Sequence, residues 1–168
     1  LVSAGYDLTV RIWPLADGPP DIITLPAPLN AVAVAPDGEI VTGGADGKVR
    51  FLAPGKQAVG EAQAGTTPII ALAISPDGAR VAAAGIGGTV NLIDRKTRSL
   101  ASALIGPGLP VWSVAYMPGG ATLLTGGASS AMRAEFSRIA TEIADSRPRT
   151  NPGLPPDLVT ELVTNAIF

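Results

Sequence analysis

The stretch LNAVAVAPDGEIVTGGADGKVRFLAP, residues 29–54, decides the fold. It opens on Ala31-Val32-Ala33-Val34, where small and branched apolar residues alternate. Such a short apolar run suits a strand buried on both faces. Pro36-Asp37-Gly38 follows. Proline presets φ and glycine accepts positive φ, so the chain turns back here as a hairpin. A second strand is expected over residues 40–44, a second tight turn at Asp46-Gly47, and a third strand over 49–52.

The same order of runs and turns recurs. IIALAISPDGARVAAAGIGGTVNLID occupies residues 69–94, and VWSVAYMPGGATLLTGGA occupies 111–128. The opening LVSAGYDLTVRIWPL, residues 1–15, is the second half of the unit. Pro36, Pro76 and Pro118 lie 40 and 42 residues apart, and Val10, Val49 and Val90 lie 39 and 41 apart. That period matches a four-stranded propeller blade. Equivalent second strands fall at 81–85 and 123–127, third strands at 10–13 and 90–93, and weaker fourth strands at 22–25, 61–64 and 100–104. A sandwich or an open β-meander is the alternative. The fixed period, with the same turn at the same phase, favours blades stacked radially, which bury one another's faces.

Composition narrows the chemistry. The chain has 168 residues, 46% of them hydrophobic, enough to bury a core. Its formal net charge of −2 gives no basic footprint for nucleic acid. The one basic cluster, Arg95-Lys96-Thr97-Arg98, reads as a solvated hairpin turn. No apolar run approaches the roughly 20 residues of a membrane helix. There is no Cys and no His. Ser-His-Asp and Cys-His nucleophile systems are therefore excluded, as are the usual structural zinc sites and haem attachment through C-x-x-C-H. No cofactor is expected on these residues. The chain starts at Leu1 inside a strand-like run, so the natural N-terminus is expected to lie upstream.

Residues 3–13, Ser-Ala-Gly-Tyr-Asp-Leu-Thr-Val-Arg-Ile-Trp, resemble the second half of a WD40 repeat. Asp7 matches the family's turn aspartate and Trp13 the tryptophan of its Trp-Asp pair. Thr42, Asp46 and Val49-Arg50 repeat the layout, with Leu52-Ala53 in place of Trp-Asp. In the next unit Asp94 keeps the aspartate, Ile93 replaces the tryptophan and Gly87 replaces the turn aspartate. The family's Gly-His becomes Gly65-Thr66. The resemblance implies an all-β, partial WD40-type propeller over residues 1–128, of about three and a half four-stranded blades. It also implies that no blade completes the family's Asp-His-Ser/Thr-Trp hydrogen-bonded tetrad. The Ala- and Gly-rich phrasing is similar to the propeller part of bacterial proteins that join WD40 repeats to a c-type cytochrome domain. That narrower likeness implies a periplasmic or exported setting, with the haem carried outside these residues.

The pattern stops within TLLTGGASSAMRAEF, residues 122–136. Nineteen of the 20 glycines lie at or before Gly127, so composition changes where the repeat does. Met132, Phe136, Ile139, Ala140 and Ile143 form one apolar helical stripe, with Ser129 or Ser130 able to cap it. A Pro-rich run over 147–156 reads as a linker, and 158–168 as a second short helix with Asp157 as its N-cap. Residues 129–168 are thus either a helical tail or the product of a frame change or fusion. Loss of the third strand in mid-unit favours the second.

Several motifs reduce to structure. Gly85-Ile86-Gly87-Gly88 lacks the spacing and following helix of a phosphate loop. Gly127-Ala128-Ser129-Ser130-Ala131 misses the last glycine of a nucleophile elbow and has no histidine base. The Asp-Gly pairs lack an EF-hand pattern. Trp112 and Tyr116 fall on one face of the innermost-strand candidate, where packing between blades is preferred and an interaction surface at Trp112 is the functional alternative. The expected function is a non-enzymatic protein-interaction or scaffold module, its partner unspecified, able to self-associate through unpaired blade edges. The alternatives are the propeller portion of an exported electron-transfer protein, and a propeller hydrolase or lactonase, which needs carboxylates or histidines clustered on a central face.

Overall fold

The structure, a computed structural model, describes residues 1–54, 58–106 and 108–127. The expected tail over 129–168 lies outside the described residues. Thirteen strands are described: β1 (Val2–Ala4), β2 (Thr9–Ile12), β3 (Asp21–Thr24), β4 (Leu29–Val34), β5 (Ile40–Gly44), β6 (Lys48–Leu52), β7 (Ala58–Gln63), β8 (Ile69–Ile74), β9 (Arg80–Gly85), β10 (Thr89–Asp94), β11 (Ser99–Ile105), β12 (Val111–Tyr116) and β13 (Leu123–Gly127). They form four antiparallel meanders: β1-β2-β3, β4-β5-β6-β7, β8-β9-β10-β11 and β12-β13. Each expected strand is present within a few residues. The architecture is a partial β-propeller of four-stranded antiparallel blades.

Turn chemistry explains the meanders. In the β4–β5 hairpin Gly38 has φ of 86° and its N–H donates to Ala35 O at 2.9 Å. In the β8–β9 hairpin Gly78 has φ of 72° and donates to Ser75 O at 2.8 Å. The aspartate of each turn accepts from the backbone two residues on: Glu39 N–H to Asp37 Oδ1 at 3.2 Å, Ala79 N–H to Asp77 Oδ1 at 2.9 Å. The β12–β13 turn lacks the aspartate but keeps the glycine, with Gly120 at φ of 69°.

The sheets bury their faces against one another. Leu29, Ile40 and Leu52 of the second sheet meet Val10 and Leu25 beside the first. On the opposite face Val41, Val49 and Phe51 meet Val81, Ala83 and Ile93 of the third sheet. Ala82, Ala84 and Val90 of the third sheet meet Val111, Val114 and Tyr116 of the last. Strict alternation of faces along β5, β6, β9 and β10 makes this possible, because period-two side chains point to opposite sides. Phe51 is wholly buried, which contributes roughly 3 kcal/mol of transfer free energy. The leading strands β4, β8 and β12 lie side by side, with β1 beside β4.

Each leading strand carries an irregularity at the same phase: between Leu29 and Ala31, Ile69 and Ala71, and Val111 and Ser113. The extra residues are Asn30, Ile70 and Trp112. A bulge re-aims its side chain out of the alternation, so this repeated feature sets where those three residues point.

Candidate interaction surface

The polar positions of the blades come first, because they hold the turns that frame the surface. In the first sheet Trp13 Nε1–H donates to Ser3 Oγ at 2.9 Å. Ser3 was not singled out from sequence; its place on β1 across from Arg11, two residues before Trp13, is the signal that would have found it. Asp7 accepts from Thr9 Oγ1–H at 2.8 Å and from Arg11 Nη2–H at 2.8 Å. The Thr9 hydroxyl, ahead of the Arg11 charge, holds the Asp7 carboxyl below its ordinary value.

The second sheet repeats the pair. Arg50 donates from Nη1 to Asp46 Oδ1 at 3.2 Å and from Nη2 to Asp46 Oδ2 at 2.5 Å. These bonds lower the Asp46 pKa. The Arg50 side chain is only 6% exposed, and its Nε lies 3.4 Å from Glu61 Oε2. Thr42, directly across from Arg50, is fully buried with its hydroxyl unpartnered among the described residues. In both sheets an arginine four residues on thus bonds the turn aspartate, in a chain with no histidine to do so.

The third sheet has neither partner: Gly87 and Asn91 stand where the aspartate and arginine stand in the second. Asp94 serves elsewhere. It accepts from Thr97 N–H at 2.8 Å and Thr97 Oγ1–H at 3.1 Å, so it caps the β10–β11 turn, and those two bonds lower its pKa. Asp7, Trp13, Asp46 and Asp94 all make local bonds within their own sheets, which the structure does not bring together, and Thr42 is buried across from Arg50 in the second sheet.

The basic cluster departs from expectation. Residues 95–98 do form the turn, but its two arginines are half-buried and paired. Arg95 pairs with Asp37, places Nε 2.8 Å from Glu39 Oε2, and donates to Gly78 O at 2.8 Å. Arg98 reaches Glu39 Oε1 at 3.4 Å, donates to Val59 O, and lies 5.4 Å from the centroid of the Phe51 ring. Together they clasp the third sheet to the second. Glu39 is buried, and that burial pushes its carboxyl up, with Arg98 pulling the other way.

The aromatic pair is also corrected. Packing between blades was preferred for both Trp112 and Tyr116. Tyr116 does pack against the third sheet. Trp112 is 58% exposed, and it lies at the bulge, out of phase with Tyr116. Its counterpart Asn30 donates from Nδ2 to Ile69 O at 2.9 Å, on the leading strand of the following sheet. Ile70, the next counterpart, is half-buried. At Asn30 the bulge position thus reaches the sheet that comes next in chain order. Farther along the last sheet, Met117 and Leu124 are also open to solvent. The outward strand β11 exposes Leu100, Leu104 and Ile105 as well.

No helix among the described residues is long and apolar enough to cross a membrane. A comparison with curated proteins finds no match. The family model described as WD domain, G-beta repeat, matches residues 21–51 and 58–94. The first match runs from β3 into β6 and the second from β7 to the end of β10, so both cross from the outer strand of one sheet into the next. Two matches in phase with the antiparallel sheets support a WD40 β-propeller-type family for this chain.

Proposed function

We propose that this chain is a non-enzymatic protein-interaction module, with the Trp112 region as its contact surface. The observation that carries this reading is the 58% exposure of Trp112 at a bulge whose counterpart, Asn30, bridges to a neighbouring sheet. A tryptophan presented on a rigid strand gives large contact area at little entropic cost, which is why the residue dominates interfaces. The WD40-type repeats support the same reading, although the fold hosts many functions. The alternative reading, implied by the narrower likeness to propellers joined to c-type cytochrome domains, is the propeller portion of an exported electron-transfer protein. Its support is the phrasing of the repeats, and a C-x-x-C-H motif in the same coding locus is the test.

The surface is tested by a photo-crosslinking amino acid placed at position 112 or, for comparison, at Leu104 on β11, in extract of the source cells. We expect position 112 to yield a discrete adduct with one protein, absent at position 104. The same diffuse pattern at both positions sinks the reading. So does a hydrolytic turnover that co-purifies with the chain to constant specific activity.

A further inference from the structure

The third sheet's missing pair leaves a space. A cleft of about 260 Å³ opens between the 64–67 connection and the third sheet. Its floor is Ile69 and Ala83, and its polar wall is Thr66, Thr67, Thr89 and Asn91. Ala83 lies directly across from Asn91, as Thr42 lies across from Arg50 in the second sheet. The cleft is thus built from the positions that hold Thr42, Asp46 and Arg50 one sheet earlier.

Backbone geometry does not force the opening. A Cβ on Gly87 would meet only the Thr67 side chain, at 2.9 Å from Oγ1. A rotation of that threonine makes room for it. Gly85 differs, since a Cβ there would lie 2.3 Å from the Pro68 carbonyl oxygen.

The lining defines the ligand. None of the lining residues is charged. An ion would leave its water shell without gaining a counter-charge, which is costly. An apolar guest would strand the Thr89 hydroxyl and the Asn91 carboxamide, both half-buried and each able to donate and accept, while Thr66 and Thr67 stand exposed at the rim. None of those four side chains makes a hydrogen bond to another described residue. Free polar groups that converge on a partly apolar cleft are the mark of a ligand site. At about 260 Å³ the cleft falls below the roughly 300 Å³ at which drug-sized pockets begin, so it admits only a guest of a few heavy atoms.

We infer that the cleft between the 64–67 connection and β9–β10 binds a small neutral polyol. Thr66, Thr67, Thr89 and Asn91 exchange hydrogen bonds with its hydroxyls, and its carbon face rests on Ile69 and Ala83.

The test is an amide NMR titration of the full chain with erythritol, with sodium acetate as the charged comparison. We expect the amides of Thr67, Gly85, Gly87 and Gly88 to shift saturably with erythritol and not with acetate. Gly87→Asp combined with Asn91→Arg restores the second sheet's pair and fills the cleft, and should weaken erythritol binding at least about ten-fold. Should that double variant fail to fold, Thr89→Val removes one hydroxyl at constant shape and should weaken binding about two- to ten-fold. Non-saturating shifts, equal in the parent and the variant, mean that the cleft holds water only, and overturn the proposal. Equal saturable binding of acetate overturns the neutral ligand class.

Discussion

Arg50 reaches back four residues to Asp46 and bonds both carboxylate oxygens, at 3.2 and 2.5 Å. The guanidinium is nearly buried and the carboxylate a third exposed. Asp46→Asn keeps the shape and removes the charge, leaving Arg50 with Glu61 as its remaining anion. We expect a loss of about 1–3 kcal/mol, the range for a charge-assisted bond, read as a lower urea midpoint at unchanged slope. Because the Asp46 pKa is lowered in the fold, this stabilisation is present above its unfolded value and disappears as pH falls through the folded one. The parent should therefore lose stability below about pH 4, and the variant should show a flatter acid limb over the same range.

Glu39 has the opposite sign. Burial raises its pKa, so its charge costs stability, and the cost appears as pH rises from the unfolded value through the folded one. Arg95→Met removes the guanidinium 2.8 Å from Glu39 Oε2 while keeping an apolar stem in place. We expect the Glu39 carboxyl to titrate higher by carbon-detected NMR, and stability at neutral pH to fall by about 2 kcal/mol. An unchanged Glu39 titration would show that the inter-sheet clasp does not hold in solution.

Trp13 and Ser3 offer an isolated neutral bond. Trp13→Phe removes the 2.9 Å indole contact and keeps an aromatic ring. We expect a cost of about 1 kcal/mol. In a double-mutant cycle with Ser3→Ala the two losses should fall short of additive by most of that amount. Full additivity would show the bond contributes nothing.

The turn that leads into the third strand of the repeat places a left-handed residue at Leu8, Gly47 and Gly88 in the first three sheets. Gly47 has φ of 75°, and a Cβ there would lie 2.2 Å from the Gly65 carbonyl oxygen. Leu8 fills the same place in the first sheet with φ of 69°. A bulky residue in that region carries strain of about 1–2 kcal/mol. Gly47→Ala should therefore destabilise by more than about 2 kcal/mol. Leu8→Gly should be close to neutral, because relief of strain offsets lost burial. Thermal melts of the two variants check this, and a Gly47→Ala protein as stable as the parent would refute the close approach.

Much of the fold was legible because its causes are local. Pro36-Asp37-Gly38 and Asp46-Gly47 specify turns through the φ values their own residues accept, and the runs between them specify strands through alternation. The repeat then sets the sheet count. Exposure and pairing were not legible. Arg95 and Arg98 lie 58 and 59 positions from Asp37 and Glu39, so only packing of one sheet on the next makes a clasp of what reads as a charged turn. Trp112 follows the alternation of its strand in sequence, and a one-residue bulge, visible only in the pairing of β12 with β13, takes it out of that phase. The cleft at Gly87 and Asn91 also needed the tertiary structure. The sequence by itself determined which side chains are missing there, but whether their space collapses or stays open depends on how the backbones of two sheets are held apart.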